Sequence, residues 1–250
     1  MFIFVHQTNS IMKKLIAILS LLILSFVAFG QTEMEGTIKF LGIPVDGSKE
    51  EMISKLKEKG FSYNSFFDEI KGEFNGRDVT LYIRTNHGLV DRVCVVFPST
   101  GKRQVVQEYN NLLSQFQANE KYVELLPNSR IPSTEDIDYE MNIRNKTYSS
   151  DFSYISPDLF TKEEAANMRQ MMGEVRKMEP DKLQQVTQAM SDSLQNSGSS
   201  LDVEQALSMV TKMRSILAGH VWFTLHEDGS RYQLVLYYDN LSNQPHGEDL

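Results

Sequence analysis

The sequence predicts an α+β protein in which antiparallel β-meanders are backed by helices, with a methionine-rich three-helix insertion before the last hairpin. Three observations support this fold class. Alternating apolar and polar residues flank tight-turn dipeptides such as Asn75-Gly76, which is typical of β-hairpins. Apolar residues three and four positions apart over residues 102–118 predict an amphipathic helix. Residues 160–217 hold seven of the twelve methionines and a single proline, Pro180, which favours helix.

Residues 31–126 are predicted to form one α+β unit. Ser48 followed by Glu51 is a capping box that begins a helix, and Gly60 ends that helix with a left-handed residue. A three-stranded meander and the helix over residues 102–118 should follow, so that the helix lies across one face of the meander. The meander strands are predicted over residues 70–74, 79–83 and 90–97.

Residues 127–250 are predicted to form a second antiparallel sheet unit that contains the helical insertion over residues 160–217. Strict alternation from Ile137 to Ile143 predicts a strand with one buried face. A turn at Asn145-Lys146 leads into a returning strand, and the chain closes with a last hairpin. The returning strand carries Tyr148, Phe152 and Tyr154; the last hairpin joins residues 221–225 to 232–238 through a turn at Asp228-Gly229.

The insertion should contain three helices, over residues 161–175, 180–194 and 201–217. A capping box of Thr161 and Glu164 begins the first, and Pro180 is suited to the first position of the second. The methionines favour the core of a small helical bundle. The alternative is an adaptable binding surface, because methionine side chains are flexible and polarisable.

The N-terminus is predicted to be a cleavable export signal. Lys13 and Lys14 precede an apolar run over residues 15–29, and cleavage is expected between Gly30 and Gln31. The run is shorter than the ~20 residues of a spanning helix. We therefore expect an exported protein, periplasmic or extracellular, that is not held in a membrane after cleavage.

Met12 directly precedes the two lysines, so residues 1–11 are expected to be an over-long start. Removing residues 1–30 takes away two lysines and no acidic residue, which leaves 23 basic against 33 acidic residues and a net charge of −10. Binding to nucleic acid depends on clustered cations, so this charge argues against such a partner. It equally argues against adhesion to anionic lipid.

No catalytic or metal-binding constellation is recognisable, and no cofactor is predicted. Cys94 is the single cysteine and is expected to be a small buried apolar residue without a lowered pKa. His220 and His226 lie six residues apart on one predicted strand, about 20 Å, which is too far for one metal ion. The acidic pairs Asp136–Asp138 and Glu163–Glu164 are expected on solvated faces and at a helix start.

The last hairpin offers a candidate binding surface. If Val221, Phe223 and Leu225 face the core, Trp222 points the other way, with Val235 and Tyr237 opposite. Exposed Trp and Tyr side chains are typical of binding hot spots. The alternative, which the neighbouring position of the insertion favours, is that the inserted helices bury this surface.

Asp192-Ser193-Leu194 matches the short acceptor pattern of Bacteroidetes O-glycosylation, so Ser193 is a candidate modification site. Asn145-Lys146-Thr147 fits the eukaryotic N-glycosylation acceptor, although its position in a turn explains it equally well.

Several segments resemble a family of secreted Bacteroidetes proteins that has no assigned activity. They are Gly42-Ile43-Pro44-Val45-Asp46-Gly47, Gly72-Glu73-Phe74-Asn75-Gly76, Glu135 to Met141, Val221-Trp222-Phe223, and Tyr237-Tyr238-Asp239-Asn240 with Gly247-Glu248-Asp249-Leu250. The resemblance covers most of residues 35–155 and 219–250, and it implies export and the fold but no catalytic residue. The helix-plus-meander units are also similar to the architecture of β-lactamase inhibitory proteins, a likeness of fold that carries little weight for function.

The functional expectation is a secreted, non-catalytic binding protein whose partner is another protein or a macromolecule of the envelope or extracellular space. Two alternatives remain open. One is a hydrolase whose site is assembled from residues distant in sequence, which would show as a deep pocket lined by carboxylates or histidines. The other is a structural protein that maintains the envelope.

Overall fold

The computed structural model describes residues 36–125, 129–175 and 203–244. Its helices and strands confirm the α+β class, with helices packed on a large antiparallel sheet. In chain order the elements are β1 (Lys39–Phe40), β2 (Ile43–Pro44), α1 (Lys49–Glu58), β3 (Ser62–Asn64), β4 (Glu69–Phe74), β5 (Arg77–Asn86), β6 (Leu89–Val96), α2 (Lys102–Ala118), β7 (Tyr122–Glu124), α3 (Ile137–Asn142), β8 (Ser149–Tyr154), α4 (Lys162–Val175), α5 (Val203–Ala218), β9 (Gly219–Asp228), β10 (Arg231–Asn240) and a short 3₁₀ helix (Leu241–Asn243).

Strands β3 to β10 form one antiparallel sheet in the order β3-β4-β5-β6-β10-β9-β8-β7, and β1 and β2 form a separate two-stranded sheet. The last strand of the chain, β10, therefore lies in the middle of the sheet between β6 and β9. Strands on both sides of the predicted boundary at residue 126 share this sheet, so the boundary does not separate two sheets.

The first predicted helix and its ends are confirmed. The Ser48 side chain accepts a hydrogen bond from the backbone N–H of Glu51, as an N-cap should. At the other end Gly60 has a φ of 92°, its N–H donates to the carbonyl of Lys57, and the N–H of Phe61 donates to that of Leu56. This pair of bonds is a Schellman motif, which glycine favours because it has no Cβ.

The predicted turn at Asn75-Gly76 is also confirmed, and a second tight turn at His87-Gly88 joins β5 to β6. Asn75 and Gly76 have φ values of 54° and 71°, and His87 and Gly88 have 50° and 82°. Two consecutive residues with positive φ are the type I′ turns that match the twist of a two-residue hairpin. Strand β3 pairs with β4 and lengthens the predicted three-stranded meander by one strand.

Helix α2 occupies the predicted residues 102–118 and packs on one face of the sheet. The Tyr109 ring meets the Phe223 ring at 5.0 Å between centroids, and the Phe116 ring stacks on Phe152 at 5.1 Å. The Tyr109 hydroxyl shares a hydrogen bond of 2.7 Å with Ser150 of β8. These contacts bury the large aromatic side chains of β8 and β9 beneath α2.

The strand predicted from Ile137 to Ile143 is wrong, because residues 137–142 form helix α3. Ile137 is fully buried and Met141 packs against the core, which is an i, i+4 pair on one helix face. Tyr139 and Ile143 are 48% and 64% exposed, although a one-sided strand would have buried them with Ile137. The alternating apolar residues therefore belong to a short helix, in which Ile137 and Met141 face the core and Tyr139 and Ile143 are exposed.

The returning strand and the last hairpin are confirmed as β8, β9 and β10. Strand β8 pairs with β7 and β9 rather than with residues 137–143. The turn lies one residue later than the predicted Asp228-Gly229: Asp228 pairs with Arg231, so Gly229, with a φ of 62°, and Ser230 form it.

Two of the three predicted insertion helices are present as α4 and α5, while the helix predicted over residues 180–194 lies outside the described residues. The Thr161–Glu164 capping box is confirmed, with hydrogen bonds in both directions. Buried Val123, Ile155 and Phe160 pack with the insertion side chains Ala165, Met168, Met172 and Ile216. Met168 and Met172 of α4 thus contribute to a second hydrophobic cluster.

No helix within the described ranges is both long and apolar enough to cross a membrane. The predicted export signal, with its cleavage site between Gly30 and Gln31, lies outside the described residues.

Candidate functional site

The candidate site lies on the face of the eight-stranded sheet opposite α1 and α2, which we call the outer face. Residues directly opposite one another on five adjacent strands form a line across it, which we call the aromatic row. Its members are Tyr82, Cys94, Tyr237, Trp222 and Asp151 of β5, β6, β10, β9 and β8. Side chains alternate along each strand, so this row and the buried Phe223 and Leu236 point in opposite directions.

Trp222 and Tyr237 are paired across β9 and β10, and their rings stack with centroids 4.1 Å apart and planes 18° apart. Both side chains are partly exposed. Val235 lies on the same face but is only 5% exposed, so it contributes little surface. The structure thus brings the three predicted residues onto one face, where two of them are partly exposed.

A guanidinium group fixes the two rings in place. The Arg92 Cζ lies 5.0 Å from the Tyr237 centroid and 5.5 Å from the Trp222 centroid, within the range of cation–π attraction. Arg92 also donates two hydrogen bonds to the Asp239 carboxylate, at 2.5 and 2.7 Å, and the Trp222 indole N–H donates to the same carboxylate at 2.9 Å. One buried carboxylate therefore orients both the cation and the indole.

The bonds to Asp239 raise the pKa of Arg92 above its usual value, although partial burial acts in the opposite direction. For Tyr237, by contrast, burial is the main cause that raises the pKa. At neutral pH this part of the surface therefore presents a charged guanidinium and a neutral phenol.

A β-bulge lies directly beside the two arginines of this face. Arg84 and Arg92 lie directly opposite each other, and the register shifts beyond this pair because Asp91 is an extra residue on β6. The fully buried Asp91 carboxylate accepts bonds from Arg84 at 2.8 and 2.5 Å. Each arginine thus has its own carboxylate, which offsets the repulsion between the two cations.

Cys94 corrects the expectation of a core cysteine. Its side chain belongs to the outer face, between Tyr82 and Tyr237, and it is partly exposed. Desolvation raises the pKa of its thiol to about 11, so the expected absence of a lowered pKa is confirmed. A thiol in this setting is a poor nucleophile at neutral pH.

A histidine–carboxylate pair lies beside the aromatic row, and we tested it as hydrolytic machinery. The His220 Nε2 is 3.2 Å from Asp151 Oδ1, and Ser153 is paired with His220 across β8 and β9. However, Ser153 is 5% exposed and its hydroxyl donates to the backbone carbonyl of Ile216 at 2.7 Å. The Ser153 hydroxyl is therefore hydrogen-bonded to the insertion and is not directed at a substrate, as a nucleophile would have to be.

A shallow groove of about 440 Å³ continues the outer face beyond the aromatic row. Its lining includes the outer-face residues Lys71, Thr80, Val96 and Gln233, and it extends to Pro98. Asp78 is its one carboxylate, so the groove does not have the paired carboxylates or histidines expected of the hydrolase alternative.

The described parts of the insertion pack near β7, β8 and β9, at the end of the sheet that is away from the groove. Val123 of β7 and Ile216 of α5 belong to the same cluster, and α5 contacts β8 and β9. Trp222 and Tyr237 stay partly exposed beside these helices. The expectation that the insertion buries both side chains is therefore wrong for α4 and α5.

The other candidate residues have structural partners or lie outside the described ranges. Asp136 and Asp138 stand at the start of α3 rather than on a strand, and both accept bonds from Lys102, at 2.6 and 2.5 Å. Glu163 and Glu164 lie in the first turn of α4, as predicted. The candidate O-glycosylation acceptor Ser193 lies outside the described residues.

No group of three or more His, Cys, Asp and Glu side chains in the described ranges is arranged to hold a metal ion. No protein-family model, curated protein or solved structure matches this chain. The resemblance to the secreted Bacteroidetes family therefore stays a prediction, and the case for function depends on the outer face.

Arg92, Asp239 and Asp151 are site residues that sequence reasoning missed. Each has one buried apolar neighbour on its strand, respectively Val93, Tyr238 and Phe152, and a polar residue on its other side. What local patterns do not contain is the pairing of β6 with β10, which brings Arg92 to Asp239 across 147 residues of chain.

Proposed function

We propose that the protein is an exported, non-catalytic binding protein that holds another macromolecule against the aromatic row. The stacked and partly exposed pair Trp222 and Tyr237 carries this proposal. Tryptophan, tyrosine and arginine are the side chains most often responsible for binding energy at interfaces, and here all three are in contact.

The fixed geometry of the row favours binding. Asp239 holds Arg92 and Trp222, and strand pairing holds Tyr237, so few rotamers need to be ordered when a partner docks. Preorganised side chains reduce the entropic cost of association. An open sheet face of this kind suits a large partner better than a small molecule, because small ligands are generally enclosed in pockets.

The hydrolase alternative has less support. Its best candidate is the His220–Asp151 pair, but the adjacent Ser153 hydroxyl is committed to the Ile216 carbonyl. The envelope-maintenance alternative predicts no defined contact surface, and the partly exposed Trp222–Tyr237 stack is a reason to prefer a binding role.

Retention of a component from an outer-envelope extract by the immobilised protein tests the proposal. We expect the wild type to retain a defined component and Trp222→Ala to lose it. Tyr139→Ala is the matched control, because Tyr139 is also an exposed aromatic side chain stacked under an arginine, on α3. Retention of the same component by Trp222→Ala, or of nothing by the wild type, would contradict the proposal.

A further inference from the structure

Two adjacent phenylalanines project from the loop between β3 and β4. Phe66 is 85% exposed and Phe67 is 63% exposed, and their rings meet nearly at right angles with centroids 4.8 Å apart. We call this pair the phenylalanine tip. Single exposed apolar residues are common on protein surfaces, but large aromatic side chains exposed together mark sites of contact with a protein or a membrane.

Hydrogen bonds on both sides of the tip hold its loop in one conformation. The backbone N–H of Phe66 donates to the Asn64 side chain at 3.0 Å. Asp68, which has a φ of 56°, accepts bonds from the Tyr63 hydroxyl at 3.0 Å and from Lys49 of α1 at 2.6 Å. The loop therefore has little conformational entropy left to lose when the tip is buried.

The sequence that carries the tip contains no charged residue. Residues 61–67 include no Asp, Glu, Lys or Arg, whereas 23% of the whole chain is charged. The next residue, Asp68, forms an ion pair with Lys49. Because an unpaired charge is costly to remove from water, this composition suits contact with the apolar part of a bilayer.

The exposed area of the tip decides between a protein and a lipid partner. A buried aromatic side chain covers roughly 150–250 Å², so the two phenylalanines at their observed exposure offer roughly 300 Å². A specific protein–protein interface needs roughly 800 Å² on each partner, so the tip alone is too small for one. A bilayer has no such minimum, since a single acyl chain already gives reversible membrane binding.

We infer that the phenylalanine tip inserts into the interfacial region of a lipid bilayer and holds the protein reversibly at a zwitterionic membrane surface. The chain has a net charge of −8, which opposes approach to anionic lipid, so the contact depends on apolar burial rather than on charge. This peripheral contact differs from the sequence-based expectation of a protein without a membrane partner.

The contact should be weak. One myristoyl chain binds to a bilayer with a constant of about 10⁴ M⁻¹, and two partly inserted phenylalanines should bind roughly tenfold more weakly, with half of the protein bound at roughly 1 mM lipid. Binding to zwitterionic lipid should change little with salt, because screening acts on charges and leaves apolar burial intact. Anionic lipid should bind less protein at low salt than at high salt, because salt screens the repulsion.

Flotation of the purified protein with phosphatidylcholine vesicles, and with vesicles that contain phosphatidylglycerol, tests this inference. Phe66→Ser with Phe67→Ser should lower the binding constant for phosphatidylcholine by about 100-fold, because both apolar side chains are lost. Tyr139→Ser is the matched control, since it removes an exposed aromatic side chain elsewhere, and it should bind like the wild type. A wild type that does not float with phosphatidylcholine, a double variant that floats equally well, or stronger binding to the anionic vesicles at low salt would overturn the inference.

A tryptophan placed in the tip separates insertion from adsorption to the vesicle surface. With Phe67→Trp in a Trp222→Phe background, the only indole of the chain lies in the tip. Its emission should shift to shorter wavelength when phosphatidylcholine vesicles are added, and lipid with brominated acyl chains should quench it. Emission that neither shifts nor is quenched while the protein floats with the vesicles would overturn the inference.

The membrane contact and the proposed binding function can fail separately. Trp222→Ala should float with phosphatidylcholine vesicles like the wild type, because the tip is intact. The double serine variant should still retain the component of the outer-envelope extract, because the aromatic row is intact. Loss of vesicle binding in Trp222→Ala would move the membrane contact to the aromatic row and overturn the inference.

Discussion

Trp222 and Tyr237 stack ring on ring across β9 and β10, and Arg92 lies over both rings while it is bonded to Asp239. Asp239 is 2% exposed and also accepts the indole N–H of Trp222. A single carboxylate thus determines how the candidate surface is arranged.

Asp239→Ala should lower the free energy of unfolding by about 2–4 kcal/mol, because it leaves the partly buried Arg92 guanidinium and the Trp222 N–H without their acceptor. Urea unfolding measures the change. Asp158→Ala is the control, since it breaks the exposed pair between Lys39 and Asp158 and should cost less than about 1 kcal/mol. Equal losses of unfolding free energy in the two variants would show that the bonds to Asp239 stabilise the fold no more than an exposed ion pair does.

Gly72→Ala should destabilise the sheet because of Phe61. A Cβ at position 72 would lie 2.3 Å from Phe61 Cδ1, and the Phe61 ring is buried. Overpacking of this kind costs about 1–3 kcal/mol. In a Phe61→Ala background the same substitution should cost much less, so a double-mutant cycle by urea unfolding should show strong coupling. Additive losses would mean that the ring does not cover Gly72.

Glu164 should make stability depend on acid pH. Hydrogen bonding to Lys212, 2.6 Å away, is the main cause that lowers the pKa of this carboxyl from 4.5 to about 2. A carboxyl whose pKa is lower in the folded state stabilises the protein above pH 4.5, and this contribution is lost as pH falls from about 4.5 to about 2. Glu164→Gln has no carboxyl group at this position to protonate. Its melting temperature minus that of the wild type should therefore increase as pH falls from about 4.5 to about 2. A constant difference between the two proteins would contradict the pairing.

Cys94 should react slowly with thiol reagents at neutral pH. Burial raises the pKa of its thiol to about 11, so only a small fraction is thiolate near pH 8. The rate of modification of the folded protein should climb with pH up to about 11, whereas the urea-unfolded chain should level off near the ordinary cysteine value. A rate in the folded protein that levels off below pH 9 would show that the thiol is not desolvated.

Local signals accounted for much of the fold. The cap at Ser48, the glycine stop at Gly60, the I′ turns and the periodicity of residues 102–118 each depend on neighbours within a few positions, and each was confirmed. The strand from Ile137 to Ile143 failed because a six-residue helix and a short strand can bury the same few apolar side chains. Tertiary packing of Ile137 and Met141 decided between them.

Long-range contacts account for what local patterns did not contain. Asn240 donates to the carbonyl of Val45, 195 residues away, and β10 enters the middle of the sheet between β6 and β9. Alternation along β10 placed Val235 and Tyr237 on one face, because side chains two apart on a strand share a face. The hairpin register then placed Trp222 opposite Tyr237. The partners Arg92 and Asp239 became visible only once the order of the strands was known.

Trp222 is the sole tryptophan of the chain, so its indole is a site-specific probe of the proposed binding surface. With 5-fluorotryptophan incorporated, the protein should give one ¹⁹F resonance from the aromatic row. Addition of unlabelled outer-envelope extract should shift or broaden that resonance until it saturates. A resonance that stays unchanged in every extract fraction would contradict the central claim that this face binds a macromolecule.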